Sequence, residues 1–106
     1  MAKYLLIGGY TADGAKGLLK DGGSKRRQAA QEVVGSTGGT LESIYWAFGE
    51  DDFYVIADFP DHAAASAASL KVGSSGAIRI RTVVLLTAED LDAAKELSPT
   101  YRPPGT

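Results

Sequence analysis

A single α+β domain is predicted, with a four-stranded antiparallel sheet covered by helices on one of its two faces. Three observations predict it. Segments rich in aromatic and β-branched residues alternate with segments of helical spacing in the order β, α, β, β, α, β, with a further helix behind them. Glycine pairs or glycine-rich tetrads punctuate most of the boundaries. The length of 106 residues, with 44% hydrophobic and 23% charged side chains, suits one ordinary globular core and argues against disorder.

Each element has its own local reason. Lys3 to Tyr10 opens with Tyr-Leu-Leu-Ile and reads as a first strand, loosened by Gly8 and Gly9. Two helical segments follow. Thr11 can cap the first, where Ala15, Leu18 and Leu19 recur at i, i+3 and i+4 until Gly22 and Gly23 stop it. Ser24 stands where an N-cap belongs for the second, which carries Ala30, Val33 and Val34 at the same spacing until Gly38 and Gly39. Leu41 to Phe48 and Phe53 to Phe59 form a hairpin about the polar turn Gly49 to Asp52. Asp61 caps a helix through the alanine run to Leu70 or Val72, where small side chains allow close approach to the sheet before Gly73 to Gly76 break it. Ala77 to Leu86 is the clearest strand. Thr87 to Asp90 resembles a capping box opening a helix with Leu91, Ala94 and Leu97 on one side, which Ser98 and Pro99 end. The domain is expected over residues 1–98, with residues 99–106 as an extended, proline-rich tail.

This order is the split βαβ, or ferredoxin-like, βαββαβ arrangement, with an extra C-terminal helix and tail. Right-handed crossovers place both connecting helices on one face of the sheet. Strand parity then assigns Ile78, Ile80, Thr82, Val84 and Leu86, with Phe53, Val55, Ala57 and Phe59, to the helix side. Tyr54, Ile56 and Asp58 share the other face with Arg79, Arg81, Val83 and Leu85. A face this apolar calls for a cover. The expected one is a second copy of the chain, sheet against sheet, in a dimeric α/β barrel, with Tyr54, Asp58, Arg79, Arg81 and Val83 in the interface. Asp58 or Glu42 is expected to neutralise the arginines there.

The chain resembles the GYD domain family, small bacterial proteins of unknown function. The likeness is carried by Tyr10 to Leu19, Gly22 to Arg27, Phe48 and Gly49 through Pro60 and Asp61, and the strand ending Thr82 to Thr87. The family's namesake Gly-x-Tyr-Asp stretch reads Gly49-Glu50-Asp51-Asp52, so aspartate stands at the tyrosine position. The resemblance implies a ferredoxin-like dimeric α/β barrel and supplies no reaction, since fold relatives include cofactor-free oxygenases, haem proteins and ligand-binding regulators.

Composition removes several function classes. With no cysteine and one histidine, thiolate metal sites, thiol nucleophiles and multi-histidine sites within one chain are excluded, and neither a metal nor a cofactor is expected. The net charge of −2 gives no general attraction to nucleic acid or anionic membranes. The N-terminal apolar run is too short for a signal peptide or a membrane span, so a cytoplasmic location is the default expectation.

Three constellations remain as candidate sites. Ser24, Lys25, Arg26 and Arg27 put positive charge at a helix start that already favours anions, which suits an anionic ligand; the plainer reading is a solvated turn paired with Asp21 or Glu32. Tyr10, Tyr45, Trp46, Phe48 and Tyr54 form an aromatic lining that suits a flat organic ligand, although ordinary packing in the core or a dimer interface is the favoured explanation of the same residues. His62, the lone histidine, is a candidate acid or base, or a surface residue in a helix's first turn. The sequence thus favours a homodimer or higher homo-oligomer that binds a small anionic or aromatic metabolite. The alternative is a small cofactor-free oxygenase or isomerase using Tyr10, Trp46 and His62. No Walker loop and no nucleophile elbow is present.

Overall fold

In a computed structural model describing residues 1–106, β1 (Ala2–Tyr10) runs up the middle of a four-stranded sheet. Its neighbours are β3 (Phe53–Phe59) and β4 (Ile78–Leu85), both antiparallel to it, and β2 (Thr40–Trp46) pairs with β3, giving the order β2-β3-β1-β4. The connecting helices are α1 (Ala12–Ser36) and α2 (His62–Gly73), and α3 (Ala88–Glu96) follows β4. This is the ferredoxin-like βαββαβ fold with a helix appended. No helix is long and apolar enough to cross a membrane.

Alternation along β3 is complete: Phe53, Val55, Ala57 and Phe59 are buried, while Tyr54, Ile56 and Asp58 are only partly covered. The buried set meets Tyr4 and Leu6 from β1, Val34 from α1 and Ala65 and Ala68 from α2, and these form the core. The alanines at 1% and 2% exposure let α2 lie close to the sheet. On β2 the pattern is reset by a bulge between Leu41 and Ser43, which brings Leu41, Ile44 and Trp46 to the core although Leu41 and Ile44 are three apart. β4 keeps its parity, but the cover runs out along its length. Ile78 and Ile80 pack on the core and the Thr82 hydroxyl bonds that of Ser69 on α2 at 2.7 Å, whereas Val84 and Leu86 are exposed.

The two helical segments expected between β1 and β2 are one helix with a single break. Gly22, at φ 78° and ψ 172°, is its only non-helical residue, a conformation that costs a side-chain-bearing residue dearly. The second half therefore starts at Gly23, one residue before Ser24, which is not its cap. The first half is turned from its expected face: Leu19 is 87% exposed and Ala15 is exposed, while Gly14 is buried. A glycine contributes nothing to a hydrophobic pattern, yet Gly14 sits against the Ala77 carbonyl, which accepts hydrogen bonds from the Thr11 amide (2.9 Å) and hydroxyl (3.3 Å). That packing sets the rotation of the helix. Capping follows expectation elsewhere, with the Asp61 carboxylate accepting from the Ala64 amide at 2.8 Å and both bonds of the Thr87–Asp90 capping box formed.

On the face away from α1 and α2, the ion pairs differ from those expected. Asp58 and Glu42 both hold Lys3, at 3.0 and 3.2 Å, and their hydrogen bonds, Asp58's first, raise its ammonium pKa above the ordinary 10.5. Arg81 takes Asp51 instead, at 2.9 Å. The aspartate standing at the family's tyrosine position thus anchors the β2–β3 turn to β4. Its neighbour Asp52 ties the same turn to β1, its carboxylate accepting from the Tyr10 amide and its own amide donating to the Gly8 carbonyl, both at 2.8 Å.

Candidate functional site

The two crossover helices lie over opposite halves of the sheet, α1 along β2 and α2 along β4, and they barely meet. The residues that α1 turns toward the resulting gap include Gly14, Gly17, Ala29 and Ala30, too small to fill it. What remains is a cavity of about 380 Å³. Its floor is the helix side of the sheet, with Leu6, Phe53, Val55, Ile78 and Ile80, and its walls include Leu18, Val33 and Val72. A volume of this size lies within the range of small-molecule sites, and a mostly apolar wall with few polar groups is their usual composition.

Charge is confined to four residues of the lining, Asp13, Asp21, Arg26 and Lys71. Arg26 is one turn before Ala30 on α1 and directs its guanidinium toward Asp21 across the Gly22 break, at 3.9 Å. A guanidinium has five N–H donors, and a contact this long leaves most of them available. Both side chains are about one-third exposed, so the pair sits at the boundary between cavity and water. Of the basic quartet expected to bind an anion, only Arg26 lines the cavity; Ser24, Lys25 and Arg27 are exposed on the outer side of the helix.

The aromatic residues divide likewise. Tyr10 lines the cavity, its ring 5.4 Å from that of Phe53, and its hydroxyl accepts a hydrogen bond from Trp46 Nε1 at 3.0 Å. Trp46 is outside the lining, its indole edge beside Gly23 of α1. Tyr45 and Phe48 are exposed, and Tyr54 lies on the opposite face of the sheet.

His62 is elsewhere. It occupies the first position of α2, is exposed, and its Nδ1 is hydrogen-bonded to the hydroxyl of buried Tyr4. Tyr4 and Tyr10 are six residues apart on β1, about 20 Å at strand rise. The Tyr10–Trp46 pair and His62 therefore stand at opposite ends of the sheet, and the three residues of the catalytic alternative do not converge on one substrate.

Sequence reasoning identified two residues of the cavity's wall, Tyr10 and Arg26, but missed its body. Gly14, Gly17, Ala29 and Ala30 carry the only sequence signal, small residues on the inward side of an amphipathic helix, and this shows as a site only once the separation of the helices is known. The interface candidates Tyr54, Asp58, Arg79, Arg81 and Val83 all lie on the sheet face that α1 and α2 leave uncovered, with Arg79, Arg81 and Val83 exposed in the single chain.

Among known proteins, a family model described as GYD domain matches residues 4–94. The crystal structure of a protein of unknown function from Nitrosomonas europaea is 20% identical, with a TM-score of 0.44 over 82% of this chain and 91% of that one. No curated protein matches.

Proposed function

The chain belongs to the GYD domain family, and from its cavity we propose that it is a homodimeric binding protein for a small organic anion with an apolar body, an aromatic or short aliphatic carboxylate. One observation carries the reading: a cavity of about 380 Å³, walled by hydrocarbon and by Tyr10 and Phe53, has a loosely paired guanidinium, Arg26, at its edge. Burial of the ligand's apolar body supplies affinity, at roughly 25 cal/mol per Å². The Arg26 fork, taking a carboxylate bidentately in place of its distant contact with Asp21, supplies orientation and selects an acid over an alcohol. The homodimer is supported by the open sheet face, where Leu5, Ile56, Val83 and Leu85 lie beside Arg79 and Arg81.

The protein contains its own reporter. Trp46 is the only tryptophan, and it is bonded to a tyrosine of the cavity wall. Titration with octanoate, 1-naphthoate and octanol, followed by Trp46 emission, tests the reading; for the absorbing naphthoate, calorimetry replaces emission. Saturable binding of the acids, at least tenfold tighter than octanol and reduced to the level of octanol by Arg26→Gln, is expected. Equal binding of acid and alcohol, or an Arg26→Gln protein that binds acids as before, contradicts it.

A further inference from the structure

The last helix is the one element whose presence the rest of the chain does not explain. α3 buries no residue: Leu91 and Leu97 are 58% and 72% exposed, and Tyr101 beyond them 74%. Nine residues are too few for a helix to stand alone in water, where even good sequences need about 12–15. Its charges make this worse. Glu89, Asp92 and Glu96 recur at i, i+3 and i+7 beside the apolar stripe, like charges on one ridge, and none of them has an ion-pair partner in the chain. The arm also stands away from the body. The radius of gyration is 16.9 Å and the longest dimension 57 Å, against about 13 Å expected for the radius of a compact chain of this length.

What α3 lacks, a second copy offers. It needs an apolar cover and cations, and the open face of the sheet holds Val83 and Leu85 next to Arg79, which has no ion pair, and Arg81, which is paired with Asp51 but whose side chain is 64% exposed and has further N–H donors. These residues lie on β4, and its last residue, Leu85, is joined to α3 through Leu86 and Thr87 alone. We infer that α3 is an exchanged arm: in the dimer it packs its Leu91–Ala94–Leu97 side on the second copy at the rim of the sheet contact, with Glu89, Asp92 and Glu96 toward that copy's Arg79 and Arg81. The inference rests on the homodimer proposed above, and on nothing in the cavity.

Hydrogen exchange of the intact chain, measured across a dilution series whose mass is followed by light scattering, tests it. Protection of the α3 amides is expected to appear and vanish together with the dimer. The double variant Leu91→Ser/Leu97→Ser, at two side chains that are more than half exposed and outside the core, is expected to keep its core exchange while its dimer dissociation constant rises at least a hundredfold, because each dimer loses four leucines. A dimer whose α3 amides stay unprotected overturns the arm and leaves the dimer standing. A monomer at every concentration overturns both. A monomer with protected α3 shows the helix folded back on its own sheet, and overturns the exchange.

Discussion

Ala30 lines the cavity one turn beyond Arg26, so replacing it with phenylalanine fills the space behind the guanidinium without touching the charge itself. The change adds about 100 Å³ of hydrocarbon, roughly a quarter of the 380 Å³ available. At ~24 cal/mol per Å³ of void removed the gain has a ceiling of about 2 kcal/mol, and ordering the new ring takes back up to about 1 kcal/mol. A net stabilisation of about 1 kcal/mol is therefore expected, a rise of roughly 5 °C in Tm for a domain of this size. The ligand response moves the other way. Octanoate at a hundred times its Kd stabilises a binding protein by about 2.7 kcal/mol, roughly 13 °C here, and Ala30→Phe should abolish that increment. Differential scanning fluorimetry of both proteins, with and without octanoate, reads all four values. Loss of 2 kcal/mol or more on substitution would mean that the space is not there to be filled; an undiminished octanoate shift in the variant would place the ligand elsewhere.

Other substitutions separate packing from binding. Gly14→Ala drives a methyl group into the Ala77 backbone carbonyl and should cost about 2–3 kcal/mol in urea unfolding, whereas Gly17→Ala, with nothing near its new methyl, should gain about 0.5–1 kcal/mol. Tyr4→Phe removes the hydroxyl bonded to His62 and should cost about 0.5–1.5 kcal/mol with carboxylate binding unchanged, while Tyr10→Phe strands the Trp46 N–H, shifting its emission and weakening the ligand. The Thr87 backbone amide, and then its hydroxyl, hold the Asp90 carboxyl below the ordinary 3.8. The cap's contribution is thus whole above pH 3.8 and is lost as the pH falls through the lower folded value; a carboxyl-carbon NMR titration of Asp90 with a midpoint at or above 3.8 contradicts this.

The topology was legible because β3 and β4 alternate and because Thr11, Asp61 and Thr87 are caps placed where apolar periodicity begins. Those signals are local, and local chemistry determines them. The rotation of α1 was not legible, since it depends on Gly14 meeting a carbonyl 63 residues away in sequence, at Ala77. Ion pairing failed for a related reason: parity places Asp58, Glu42, Arg79 and Arg81 on the same face, but only the register shows that Lys3 stands directly opposite Asp58. Of the candidate site, Tyr10 and Arg26 could be named from chemistry alone. The cavity they line is made by absent side chains and by the separation of two helices, and absence leaves little trace in a hydrophobic pattern.

Intermolecular NOEs in the complex with octanoate locate the ligand most directly. Contacts from its chain to the methyl groups of Leu6, Val72, Ile78 and Ile80, with the Arg26 side-chain resonances shifted, are the expected result. Contacts instead to Leu5, Ile56, Val83 and Leu85, across the sheet from the cavity, would show that the open face binds the acid and that the space beneath α1 is a packing defect.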